Sequence, residues 1–200
     1  RSLINLTITR PDLNYPVGLI SQFRRTDRGA RLVRATNTQD VSNTNDVGML
    51  YQISIAKQFS GHMDADWAGN VGNHMYTSGF AFSLGSATIS RRSKKQLTIA
   101  LSSTAAEYRR AVVATCEAIW LKRLLKNLHV EVSILTTIYC DNLNNIQLAK
   151  KPIFHARTKH IEVHYHFVRK RVLSDEVELV YVATDRQTAD IFTEPLGLNK

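Results

Sequence analysis

Four acidic residues spread along the chain hold its best prospect of chemistry: Asp64, Glu107, Asp141 and Asp190. Asp64 opens "DADW" (64–67), and Asp66 follows two positions later. On a strand both would share one side, because alternate side chains face the same way. Two bare carboxylates so placed repel, and raise each other's pKa unless a positive charge joins them. Taken alone, the motif fits a metal site, a catalytic acid pair or the polar end of a strand. Asp141 closes the apolar run "ILTTIYC" (134–140), and Glu107 lies in the first turn of a long helical pattern. Asp190 is flanked by Ala189, Ile191 and Phe192. Ionised carboxylates at strand ends and half-buried helix positions are costly to desolvate without a partner. One or two hard divalent cations, which take oxygen ligands, would satisfy all four together.

The elements that must position these acids show in the hydrophobic spacing. "FAFSL" (80–84) alternates apolar residues between Gly79 and Gly85, so 60–67 and 78–92 read as an antiparallel meander. "SSTAAEYRRAVVATCEAIWLKRLLKNL" (102–128) carries Tyr108, Val112, Cys116, Ile119, Leu124 and Leu128 at helical spacing, with Ser102, Ser103 or Thr104 as cap. Residues 134–140 form a buried-type strand, "NNIQLAK" (144–150) a short helix before Pro152, and 157–173 a basic helix. "EVELVYV" (176–182) alternates as a strand, and 185–196 suggests a last short helix ended by Pro195. Trp67 and Trp120 are expected as core anchors. The order βββ, α, β, α, α, β, α fits a central sheet with helices packed on it. Upstream, Pro11 and Pro16 interrupt any long helix, and 24–47 is polar, rich in Asn, Thr and Asp, and linker-like.

Of the 200 residues, 44% are hydrophobic, enough for a real core. The formal charge of +9 favours polyanionic partners, nucleic acid first. Cys116 and Cys140 are too far apart for a CxxC motif; they argue against a disulfide scaffold or zinc knuckle and fit a reducing compartment. No apolar run approaches the roughly 18 residues a membrane helix needs, and the start lacks a signal peptide's apolar region. The chain opens on Arg1, as expected of a piece of a longer product.

A string of motifs in order then resembles a known family. These are "DADWAG" (64–69), "TSGF" (77–80), "SKKQ" (93–96), "ALSSTAAEY" (100–108), "EAIWLKRLL" (117–125), "IYCDN" (138–142), "HARTKHIEVHYHFVR" (155–169) and "TADIFTEPL" (188–196). Together they resemble the ribonuclease H domain at the end of a copia-type retrotransposon Pol polyprotein. The resemblance implies an α/β fold of the ribonuclease H type. Its mixed five-stranded sheet has three antiparallel strands, then two further strands, with flanking helices. Residues 6–23 resemble the segment after the reverse transcriptase palm, where polymerase leads into its connection, and "GMLY" (48–51) resembles the last strand before the ribonuclease H domain. Residues 1–59 are therefore expected to be a degenerate tail of the thumb and connection region, partly disordered, and 60–200 the ribonuclease H domain.

The resemblance also implies a site. Asp64, Glu107, Asp141 and Asp190 match the family's four catalytic acids and would hold two Mg²⁺, with Mn²⁺ as substitute, to cut the RNA strand of an RNA–DNA hybrid. Such ions, about 4 Å apart, clamp the scissile phosphate. Asp64 would bridge both; Asp66 would sit at the strand's exit. Hybrid recognition would rest on shape, phosphates and 2′-hydroxyls. Lys94, Lys95, Asn142, Arg157, Lys159, Arg169 and Lys170 are the expected nucleic-acid contacts, with Arg171 beside them. The polymerase portion of the polyprotein is the second implied partner, a membrane is not one, and the implied location is a cytoplasmic virus-like particle or the nucleus, without secretion. His160 and His164 have i,i+4 spacing, but Ile161, Glu162 and Val163 between them do not make HExxH, so zinc is not expected. One of His155, His160, His164 and His166 is left as a proton shuttle.

The chain departs from the family pattern at Ala105, where a second Glu is usual, at Arg91–Arg92, where Trp-Ser is usual, and at Glu194, where Lys is usual. The upstream segment is shortened, 24–47 lacks the expected amphipathic helix, and the palm's catalytic aspartates are absent. The alternative reading is therefore a decayed, inactive remnant that at most binds nucleic acid. A transposase or integrase of the same fold is disfavoured by "SSTAAEY" and "TADIFTEPL".

Overall fold

A computed structural model describes residues 10, 13, 17, 58–66, 77–95, 103–150 and 162–193. The polar stretch 24–47, Trp67, His155, Arg157, Lys159, His160 and Pro195 lie outside them. Among the described residues the order is β1 (Phe59–Asp66), β2 (Thr77–Leu84), β3 (Ala87–Lys95), α1 (Ser103–Asn127), β4 (Thr136–Cys140), α2 (Leu143–Lys150), α3 (Glu162–Leu173) and β5 (Val177–Tyr181). Two 3₁₀ turns, Thr184–Arg186 and Asp190–Phe192, follow. The short helix expected over 185–196 is thus replaced by tight turns across 184–192. The strand expected from Ile134 begins at Thr136, and Ile134 itself is exposed. No helix among the described residues is long and apolar enough to cross a membrane.

The five strands form one mixed sheet in the order β3-β2-β1-β4-β5. β1, β2 and β3 are antiparallel neighbours, while β4 runs parallel to both β1 and β5. This is the architecture the motifs imply. Gly85 makes the β2–β3 turn at φ 61°, a left-handed conformation that glycine adopts without a Cβ penalty.

Alternation along each strand puts one set of side chains on one face. Phe59, Met63, Phe80, Phe82, Ile138, Cys140, Val177 and Leu179 are buried there and pack with Tyr108, Leu121, Leu125, Ile146 and Val168 from the helices. Phe82 stacks on Phe59, with ring centroids 5.7 Å apart, and meets Phe80 edge-on at 5.6 Å.

The buried stripe of α1 differs from the one the larger apolar residues suggest. Tyr108, Ala111, Ala114, Ala118, Leu121 and Leu125 are buried, whereas Cys116, Leu124 and Leu128 are exposed. Trp120, expected as a core anchor, is 56% exposed. Three fully buried alanines let the helix axis approach the sheet closely, and the crowding by Phe59, Phe80 and Phe82 leaves no room for an indole. Ser90 of β3 donates to Glu117 Oε1 at 2.7 Å and adds a polar tie between sheet and helix.

Close packing is severe at Gly61, where an added Cβ would collide with Cε1 of Phe82, its cross-strand partner. Gly61→Ala is expected to lose about 1–3 kcal/mol by overpacking, while Trp120→Ala stays within about 0.5 kcal/mol, as exposed positions do. Chemical denaturation of the two variants measures both; equal losses would mean that the helix packs differently.

Candidate active site

Asp64 lies near the end of β1, the central strand, and is 8% exposed. Its position is fixed from both neighbouring strands. In the antiparallel direction Asp64 pairs with Gly79 of β2, and Gly79 pairs with Ser93 of β3. In the parallel direction Ser60, Gly61 and His62 pair with Thr137, Ile138 and Tyr139 of β4. That pairing ends two residues before Asp64, and Asp141 follows Cys140 at the end of β4. Adjacent strands lie about 4.8 Å apart, so the two acids come from neighbouring backbones. Asp141 is half-buried just beyond the end of β4, followed by half-buried Asn142.

Asp190 reaches this end of the sheet from the far end of the chain. It is 4% exposed and opens the 3₁₀ turn that packs on β1 and β2. The turn crosses the row Asp64–Gly79–Ser93 and is fastened to each member. Thr193 Oγ1 donates to Asp64 Oδ2, and Ser93 Oγ donates to the Phe192 carbonyl at 2.6 Å. Between them, Gly79 lets the turn sit against the strand: an added Cβ would lie 2.7 Å from Phe192 Cβ and 3.0 Å from Thr193 Cγ2. The glycine of "TSGF" is therefore a close-approach position. Buried Gln187 supplies another tie, its Nε2 donating to the Met63 carbonyl at 3.0 Å and its Oε1 3.0 Å from His62 Nδ1.

A cation also reaches Asp64. Arg110 of α1, 5% exposed, places Nη1 3.3 Å from Asp64 Oδ1. The two Asp64 oxygens therefore each have a partner, one guanidinium and one hydroxyl. Glu107 lies one turn earlier on α1, three residues before Arg110, and its side chain is outside the described residues. Among the described residues no three or more His, Cys, Asp or Glu side chains close around a metal position. What the site does show is its donor chemistry: carboxylate oxygens, the ligand type of Mg²⁺ and Mn²⁺ rather than of zinc.

Among the described residues, the basic residues named from the sequence fall toward two edges of the sheet. Lys94 is exposed on β3, at one edge of the sheet, with Lys95 next along the same strand. Arg169, half-buried, and Lys170, exposed, are on α3, which packs on α1, α2 and β5 toward the other edge. The acids at the ends of β1 and β4 fall between them. His166 is exposed on α3. Asp66 ends β1, as expected, with its side chain outside the described residues.

Four residues beside the acids carry no weight in the sequence reading: His62, Arg110, Gln187 and Thr193. Two signals pointed to them. His62 precedes Asp64 by two on the same strand, and Arg110 stands between Tyr108 and Ala111 on a helix's apolar side, where a charge needs a partner. His62 stacks on Tyr139 with centroids 4.8 Å apart.

With this geometry in place, the fold is identified by comparison as that of ribonuclease H. The N-terminal RNase H domain of rv2228c from Mycobacterium tuberculosis superposes with a TM-score of 0.50 over 68% of this chain and 90% of that one, at 14% identity. The family follows from sequence. The retrovirus-related Pol polyprotein from transposon RE2 of Arabidopsis thaliana is 38% identical over 199 residues, 98% of the chain. That from transposon TNT 1-94 of Nicotiana tabacum is 32% identical over 204 residues, also 98% of the chain. The chain belongs with the retrovirus-related Pol polyproteins of transposons and spans 14% and 15% of the length of these two. No protein-family model matches it.

The surroundings of His62 set a pH dependence. Burial pushes its imidazole below the ordinary 6.5, against a smaller upward pull from the Gln187 hydrogen bond. The unfolded chain then takes up the proton more readily than the folded one, so stability is full above pH about 6.5 and is lost as pH falls from there through the lowered value. Thermal unfolding from pH 5 to 8 is expected to show this slope, flattened in His62→Gln. An unchanged slope in the variant would place its origin elsewhere.

Proposed function

We propose that this chain is the nuclease segment of a retrotransposon polyprotein, a ribonuclease H that hydrolyses the RNA strand of RNA–DNA hybrids. The observation that carries the reading is the register of the central strands. It runs from Ser60–Thr137 to His62–Tyr139, toward the strand ends that carry Asp64 and Asp141, and Thr193 beside the Asp190 turn donates to Asp64. Glu107 would join them from α1, three residues before Arg110, which touches Asp64.

Asp64, Glu107, Asp141 and Asp190 would hold two Mg²⁺, with Mn²⁺ able to replace them. Once bound, the ions supply an activated water and offset charge on the scissile phosphate. The chain's own residues do the positioning. β1 and β4 hold Asp64 and Asp141 on rigid backbone, and the tie from Ser93 to Phe192, with Gly79 beneath, keeps Asp190 near the strand end. Lys94 on one side, and Arg169 and Lys170 on the other, would contact phosphates along a hybrid that crosses the acidic end. Recognition of this kind reads backbone shape and 2′-hydroxyls more than base sequence.

A second reading, a nucleic-acid-binding remnant without cutting activity, draws on one observation: Asp64 already has a cation, Arg110. A labelled RNA–DNA hybrid incubated with Mg²⁺ or Mn²⁺ distinguishes the two. The nuclease reading expects RNA-strand cleavage that chelation abolishes, and a loss of at least about 100-fold in Asp64→Asn, the scale for a charge-stabilising group. Hybrid binding with no metal-dependent cutting would establish the remnant instead.

A further inference from the structure

Arg110 is a cation in direct contact with the proposed metal ligand Asp64, and it belongs to the protein. It is 5% exposed, its partner Asp64 is 8% exposed, and they meet at 3.3 Å between residues 46 apart in sequence. Burial of this kind is different from a surface ion pair, which moves freely and contributes little. Asp64 Oδ1 faces the guanidinium and Oδ2 the Thr193 hydroxyl, so the carboxylate is both oriented and neutralised. A carboxylate retains lone pairs beyond two bonds and can still accept a cation. Any cation arriving there meets the positive charge of Arg110 in a poorly screened site.

We propose that Arg110 is a resident counter-ion of Asp64 that competes with divalent cations and so sets how tightly this chain binds them. In its presence Asp64 is buried with a cationic partner in the absence of metal. When Mg²⁺ or Mn²⁺ binds, the guanidinium has to draw back from Oδ1. This inference rests on the nuclease reading, because it takes Asp64 as a metal ligand. Arg110 acts here through Asp64 as a positioning residue.

Direct Mn²⁺ binding, followed by the electron paramagnetic resonance signal of the free ion, tests this without an activity assay. Arg110→Gln removes the charge and is expected to bind Mn²⁺ about tenfold tighter than the unaltered chain, as loss of a neighbouring like charge implies. Arg110→Lys keeps the charge and should stay near the unaltered affinity, and Asp64→Asn combined with Arg110→Gln should abolish the gain. Equal affinity in the unaltered chain and a folded Arg110→Gln would overturn the competition while leaving the nuclease reading standing. Absence of Mn²⁺ binding in every form would sink the nuclease reading and this inference with it. Should Arg110→Gln fail to fold, the unaltered chain decides. The ¹⁵N resonance of Arg110 Nε must shift on saturation with Mg²⁺, and a resonance that stays in place overturns the proposal.

Discussion

A carboxylate buried at the end of the central strand is the constraint around which this fold is organised. Burial of Asp64 without compensation would force it to neutralise or the strand end to open. Its surroundings answer with a guanidinium from α1 and a hydroxyl from the C-terminal turn. That turn stays close because Gly79 has no side chain, Ser93 holds the Phe192 carbonyl, and Gln187 ties it to the backbone of β1. Removing any one of these would loosen the hold on Asp64 from a different direction. A buried ion pair is weak evidence for stability by itself; here its carboxylate is one of the proposed metal ligands, which gives the pair a functional meaning.

The second constraint is the parallel pairing of β1 with β4. Antiparallel strands can be joined by a tight turn, but a parallel neighbour needs a crossover, and α1 provides it. The same helix carries Glu107 and Arg110, so the element that makes the crossover also brings a guanidinium to Asp64. Its buried alanines let it lie close to the aromatic cluster of β1 and β2. Sheet, crossover and site are therefore a single mechanical unit, and packing errors on α1 would be felt at Asp64.

Much of this was legible in the residues. The strand alternation of "FAFSL", the break at Gly85 and the acids at strand ends were enough for the meander and for the likeness to ribonuclease H. Other features depend on what lies across from a residue, which spacing along one element cannot show. Trp120 looked like an anchor because it is large and apolar, yet the sheet's three phenylalanines fill the space and α1 buries alanines instead. The final helix was expected from the spacing of 185–196, but attachment of Phe192 and Thr193 to β1 and β3 tightens the segment into 3₁₀ turns. Of the basic residues, the strand order sets Lys94 at one edge of the sheet, and Arg169 and Lys170 lie toward the other. Arg110 was invisible as a partner because its carboxylate lies 46 residues away.

The central claim is that the strand-end acids form a divalent-cation site. Anomalous diffraction from crystals soaked in Mn²⁺ tests it most directly. The account predicts a Mn²⁺ peak in contact with Asp64 and Asp141 carboxylate oxygens, at about 2.0–2.1 Å as for Mg²⁺, with Arg110 withdrawn from Oδ1. A soaked crystal in which Asp64 remains paired with Arg110 and Mn²⁺ binds only elsewhere would contradict it.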